Sequence, residues 1–386
     1  MNPPSLLQIV ERLERLAGRL PSKIQKAVLR ELTPLKQLFL QQRPPRFLFV
    51  GASGMPMGQI IGALFAPADV IETRDASAPP ICRWYDVSLP DRGTISVLDA
   101  RGADDSALGQ LQDELKYQAA DIIFFLSDER IAQGPDKHDL DDLKVRYFAS
   151  NKTAEMATKI VGISILPAGE TVGPNQINLA ASRLQLALRS NVVGREPVLE
   201  TLRLISAGPD RGLELHNADA QRLMSTLARE LPNQARLEMI RISRNREAQH
   251  EVAQLLVKST TAICAAIGAQ PIPLADLPIL TSLQVTMISG IMYVSGRERS
   301  LRAATEFIGA LGVNVGAAML LREGARAVLK FFPGWGNVVG GLVAGSGTYA
   351  IGRAATVFFI DGVSLKDARR TYRTSRKNAS PKSHRS

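Results

Sequence analysis

Apolar and polar positions change their rhythm twice along this chain. From Leu6 to Leu20, Leu6, Ile9, Val10, Leu13, Leu16 and Leu20 recur at helical spacing, so one face of a helix is apolar. A second helix is predicted from about Ser22 to Thr33, limited by Pro34. Then the period shortens. Arg46-Phe-Leu-Phe-Val50, Thr94-Ile-Ser-Val-Leu98, Ile122-Ile-Phe-Phe-Leu126, Lys159-Ile-Val-Gly-Ile-Ser-Ile165 and Thr201-Leu-Arg-Leu-Ile205 are short apolar runs that read as strands. A loop from Gly51 to Gly58 leads into Ile60, Ile61, Ala63, Leu64 and Phe65, which read as a helix, and further helical stretches at about 106–119, 176–190 and 218–231 lie between or after the strands. Strands alternating with helices predict a mostly parallel sheet covered on both faces, an α/β fold.

Beyond Pro232 the strand signals stop. Residues 234–258 read as one charged helix, and then charge nearly vanishes. Asp276 is the only charged residue between Lys258 and Arg297, and there is none between Lys330 and Arg353. Pro271, Pro273 and Pro278 break one helix and start the next, and Asp276 is placed to cap it. The stretches 277–296 and 331–352 reach the length of a bilayer span. Gly336, Gly340, Gly341 and Gly345 give the second the small-residue spacing that lets helices pack closely in lipid. Pro333, Asn337, Thr281, Ser282, Gln284 and Thr286 argue against spanning, and buried helices of a bundle are also apolar all round. From Lys366 the chain is basic, with Arg369, Arg370, Arg373, Arg376 and Lys377, and reads as a disordered tail. The expected organisation is therefore an N-terminal helical segment (1–45), an α/β domain (46–232), an apolar helical domain (233–363) and the basic tail (364–386).

Composition narrows the function classes. The net charge of +10 favours acidic partners. Aromatics are 5% and do not alternate with Arg or Lys, so nucleic acid ranks below membrane as a partner. Cys82 and Cys264 form no disulfide framework or zinc pattern, and His138, His216, His250 and His384 stand alone. The interrupted N-terminal pattern does not read as a secretory signal.

The candidate chemistry lies after the first strand. Strand, Gly-containing loop and helix open a phosphate-binding α/β unit. Phe49-Val-Gly-Ala-Ser-Gly-Met-Pro-Met-Gly58 followed by Gly62-Ala-Leu-Phe65 resembles the phosphate loop and following helix of the Era-like bacterial GTPases. More closely, the whole chain resembles a bacterial group in which such a domain precedes a hydrophobic C-terminal domain of unknown function. The C-terminal likeness rests on Pro271, Pro273, Asp276, Leu280, Thr281 and Gln284, on Phe332-Pro-Gly-Trp-Gly336, and on Gly345-Ser-Gly-Thr348 with Gly352.

The resemblance implies a P-loop GTPase-like fold and assigns roles. Gly51, Ser53, Gly54 and Gly58 fall in the phosphate loop, Asp99-Ala-Arg-Gly102 matches the metal- and γ-phosphate-sensing turn, and Ser206-Ala207 matches the loop beside the base. Thr73 falls in the first switch, where the family places a Thr on Mg²⁺. The departures matter as much. Met57 stands at the position of the phosphate-binding Lys and Gly58 at that of the Mg²⁺-ligating hydroxyl, and Pro56 has no N–H to offer. After the fourth strand, Leu166-Pro-Ala-Gly-Glu170 lacks the Asp that would read guanine, and Asn151-Lys152 precedes the strand instead of following it.

The reading is a degenerate GTPase-like domain that serves as a scaffold or binding module. GTP, GDP and Mg²⁺ are its residual candidate ligands, and no catalytic residue is assigned. Its expected place is the cytoplasmic side of an inner membrane, peripheral or integral, or otherwise the cytoplasm. Trp335, Arg369, Arg370, Arg373, Arg376 and Lys377 would meet lipid or a membrane protein. Two alternatives stand beside it: a divergent GTPase switched on by a related partner or by self-association, and a structural subunit of an envelope assembly.

Overall fold

The computed structural model describes residues 22, 25–26, 29–31, 42–51, 56–66, 82–90, 92–103, 105–128, 159–166, 177–191, 198–206, 212–269, 276–312 and 335–379. At 105, 128, 177–180, 190–191, 276–278, 335–340 and 379 it describes the backbone alone. The chain divides into two compact units, one of Arg43–Asn245 and the other of Met1–Gln42 with Arg246–Ser386.

The first unit is α/β. Its elements are β1 (Arg46–Gly51), α1 (Met57–Phe65), β2 (Tyr85–Leu89), β3 (Gly93–Arg101), α2 (Asp105–Tyr117), β4 (Ile122–Asp128), β5 (Ile160–Leu166), α3 (Ile177–Asn191), β6 (Val198–Ser206), β7 (Leu213–Leu215), α4 (Asn217–Glu230) and α5 (Asn233–Ser243). The strands form one sheet in the order β2-β3-β1-β4-β5-β6-β7. The five inner strands are parallel, and β2 and β7 close the edges antiparallel. This bears out the α/β class with a mostly parallel sheet.

Strand β1 shows why. Its side chains alternate between faces, and both faces are covered. Phe47 and Phe49 join Phe65 and Phe124 in one core, while Leu48 and Val50 join Leu98, Leu111 and Phe125 in the other. The Phe47 and Phe65 rings stack at 5.1 Å between centroids, and Phe49 stacks on Phe124 at 4.9 Å. Each such buried ring contributes about 1.5–3 kcal/mol. At the amino end of the sheet, Arg43 grips Asp121 through two bonds of 2.6 and 2.7 Å. The same carboxylate accepts the Arg46 N–H at 2.9 Å, which fixes β1 beside β4.

Two sequence expectations shift here. Residues 234–258 form two helices, because Arg244 adopts a left-handed conformation (φ 50°) after α5. The sequence pattern sets the domain boundary at 232, and the compact unit continues through Asn245. The reason is Glu238 on α5. It is buried and accepts the Thr94 N–H at 3.1 Å. It fills the space over Gly93, where a Cβ would stand 2.2 Å from its Oε1. The helix is thereby tied to the β2–β3 hairpin.

The second unit is helical: α6 (Arg246–Gly268), α7 (Asp276–Val294), α8 (Leu301–Ala310), α9 (Trp335–Phe359) and α10 (Leu365–Ala379). Helix α9 runs antiparallel to α6 at close range. A Cβ on Gly341 would stand 2.9 Å from the Ala265 carbonyl, one on Gly345 3.1 Å from Ala265 Cβ, and one on Gly352 2.5 Å from Val257 Cγ2. Polar groups between α7 and α9 satisfy one another. Gln284 Nε2 donates to Thr348 Oγ1 at 2.9 Å, and Thr348 donates to the Ala344 carbonyl at 2.8 Å. Burial pushes the Cys264 thiol up to about 12, against the opposing pull of a hydrogen bond with Thr348. Asp276 opens α7.

Among the described residues, no helix is long and apolar enough to cross a membrane. Residues 366–379 are helical, which corrects the expected disordered tail over that stretch. Ser364 caps it reciprocally: its hydroxyl accepts the Asp367 N–H at 3.2 Å and donates to the Asp367 carboxylate at 2.6 Å. Ala368 and Tyr372, one turn apart, are buried.

Candidate functional site

The strand order places the candidate site. From β1 the chain crosses to β3 on one side, and from β4 it moves to β5 on the other. In such sheets the crevice for ligands lies beyond the carboxyl ends of the strands where the order reverses. Here that point is the end of β1, between β3 and β4.

Gly51 ends β1 there with φ 112°. A Cβ on it would stand 2.1 Å from the Leu126 carbonyl oxygen of β4, so only glycine fits. Gly102, with φ 60°, returns over the same spot and donates its N–H to the Gly51 carbonyl at 3.0 Å. The ends of β1 and of the Asp99-to-Gly102 turn are thus joined, as the register Phe49 with Asp99 and Gly51 with Arg101 requires.

Asp99 and Arg101, two residues apart on β3, share a sheet face. By alternation it is the face of Ile95 and Val97, which is the α1 side. Their side chains lock together. Arg101 Nε donates to Asp99 Oδ1 at 2.8 Å and Nη2 to Oδ2 at 2.7 Å. The Arg101 backbone N–H adds a 3.2 Å bond to the same carboxylate. The side chains are 14% and 8% exposed, so the pair is largely withdrawn from water and screened little by salt.

Helix α1 starts at Met57 after Pro56, with no side-chain cap and no acidic residue in its first turn. Met57, at the position where the resemblance expects a phosphate-binding Lys, is 2% exposed and packs into the core with Phe47, Ile60 and Ile61. Gly58 is half-buried and has no hydroxyl. Gly212, which leads into β7, lies beside Gln59, where an added Cβ would stand 3.5 Å from the side-chain amide. The hairpin after Ser206 therefore reaches the first turn of α1. Ser206 ends β6 and is half-buried.

The structure thus gathers Gly51, Gly58, Asp99 and Gly102 around one strand end and brings the hairpin of Ser206 toward it. Ser53, Gly54, Thr73 and Ala207 lie outside the described residues, as do Glu170 and Asn151-Lys152. Trp335 opens α9, with its backbone alone described. Arg369, Arg370, Arg373, Arg376 and Lys377 lie on α10 in the other unit.

These residues do not fit a Mg²⁺-nucleotide. The carboxylate that would hold the ion's water shell is already held on both oxygens by a guanidinium. Neither a Lys nor a hydroxyl stands at the first turn of α1. Among the described residues, no group of three or more His, Cys, Asp or Glu is placed to hold a metal ion. The partner that sequence reasoning missed is Arg101. Its signal was present, since residues two apart on a strand face the same way.

No protein-family model matches the chain, and no curated protein matches it.

Proposed function

We propose that this chain is a GTPase-like scaffold whose nucleotide site has decayed, and that it attaches peripherally to a membrane through its helical unit. What carries the reading is the bidentate closure of Asp99 by Arg101, 2.7 and 2.8 Å long and largely buried. A phosphate site works by presenting cations and backbone donors to the ligand in a dry setting, where such charges are worth most. Here the cation at the switch point is spent on the protein's own carboxylate. The Lys position contributes a methionine to the core. The GTPase-like assignment is supported by the strand, loop and helix at the point where the strand order reverses, with the Asp99-to-Gly102 turn beside it. Membrane attachment is supported by the scarcity of charge between Lys258 and Arg297 and between Lys330 and Arg353, and by the basic helix α10.

The test is phosphate release from Mg²⁺-GTP by the pure full-length chain. The expected rate equals that of a protein-free blank. Turnover that disappears in Asp99→Asn would overturn the proposal and favour a divergent GTPase.

A further inference from the structure

The fold gives the basic C-terminal segment a geometry that a disordered tail would not have. In α10, Ala368 and Tyr372 are buried and Leu365, Thr371 and Ser375 are half-buried, which marks the side packed on α9. With 3.6 residues per turn, Lys366, Arg370, Arg373 and Lys377 then fall in one row on the opposite side, about 16 Å long. All four are exposed. Among the described residues, no carboxylate forms an ion pair with any of them. Arg369 and Arg376 lie nearer the packed edge. Arg369 donates to the Ala310 carbonyl at 2.6 Å, and Arg376 reaches the Tyr372 hydroxyl at 3.4 Å. Asp367, the one acid of the helix, is turned back to Ser364.

We propose that this four-cation row is a docking surface for an anionic phospholipid membrane. The inference rests on the membrane-attachment part of the reading above and names the surface that makes the contact. A straight row of cations complements a flat field of negative charge. A protein partner would need a central apolar or aromatic anchor, but the apolar residues of α10 are committed to α9. A single-stranded nucleic acid would need exposed rings for stacking, and the one aromatic residue of α10, Tyr372, is buried. For the same reason α10 does not insert as an amphipathic helix does. Binding through it is electrostatic and weakens with salt.

The register of the helix makes this testable. Arg370→Gln/Arg373→Gln and Arg369→Gln/Arg376→Gln remove the same charge, but only the first pair lies on the row. Co-sedimentation of the full-length chain with phosphatidylcholine vesicles, with and without phosphatidylglycerol, is measured for each, and far-UV circular dichroism checks that the helix persists. The row predicts binding that requires phosphatidylglycerol. It falls about tenfold or more in the first double variant and less than about threefold in the second, given the usual contribution of each surface cation. Lys366→Gln/Lys377→Gln should behave like the first pair. Equal losses in all variants would overturn the row while leaving membrane attachment standing. No binding by the wild-type chain would overturn both. Displacement from vesicles by duplex DNA at equal phosphate would overturn the choice of lipid.

Discussion

The two units bury apolar surface by opposite means. In the α/β unit the space between sheet and helices is filled by large side chains, with Phe47, Phe49, Phe65 and Phe124 in mutual contact. In the helical unit the elements are brought so close that a Cβ on Gly341 or Gly352 would clash with α6 and one on Gly345 would be tight against it. Polar side chains between these helices bond to each other or to their own backbone, as Gln284, Thr348 and Thr356 do. Apolar content alone therefore does not dictate a packing mode. Ring volume favours a core that loses most from truncation, and small-residue contact favours one that loses most from enlargement.

That contrast can be broken unit by unit, because the chain has two tryptophans and each unit contains one, Trp84 or Trp335. Trp335→Phe leaves a fluorophore in the α/β unit, and Trp84→Phe leaves one in the helical unit. The largest effect is expected from Phe124→Ala, about 3–5 kcal/mol from lost transfer energy and the remaining cavity. Urea unfolding followed through Trp84 should report it. A loss below about 1 kcal/mol would deny the ring cluster its role.

Gly352→Ala comes next, at about 1–3 kcal/mol. Its Cβ would meet the branched end of Val257 at 2.5 Å, with Met287 behind at 3.2 Å. Unfolding followed through Trp335 measures it. An unchanged midpoint would mean that α6 and α9 stand further apart.

The smallest effect concerns pH. Hydrogen bonds from Arg229 and then Lys159 hold the Glu230 carboxyl below its usual 4.5. A lowered folded-state value stabilises the fold above the unfolded one, and the contribution is lost as pH falls through the folded value. Wild type should therefore lose stability relative to Glu230→Gln only below about pH 4.5. Parallel curves down to pH 3 would sink this assignment.

Much of the scaffold was legible. The apolar runs opening at Arg46, Ile122 and Lys159 became β1, β4 and β5 within two residues of their ends, because strands covered on both faces need unbroken apolar sequence. Strand β2 was missed. Tyr85-Asp-Val-Ser-Leu89 has no continuous apolar run; its strand signal is the alternation of Tyr85, Val87 and Leu89 with polar residues, and it pairs with β3 at the sheet edge. Strand β7 is a three-residue edge with no periodicity to read. Helix α10 was hidden by its charge, although Ser364 and Asp367 spell a capping box and Ala368 and Tyr372 a buried face. At the site, Gly51 and Gly102 were legible as glycines that a tight strand end demands. The state of Asp99 was not, because a motif names a carboxylate without naming what already holds it.

The central claim is that this carboxylate and its crevice no longer receive a nucleotide. Isothermal titration of the full-length chain with Mg²⁺-GTP and with Mg²⁺-GDP tests it most directly. With Asp99 held by Arg101, no saturable heat is expected up to millimolar ligand. A saturable isotherm that vanishes in Asp99→Asn would contradict it, because Asp99 would then have left Arg101 to serve a ligand.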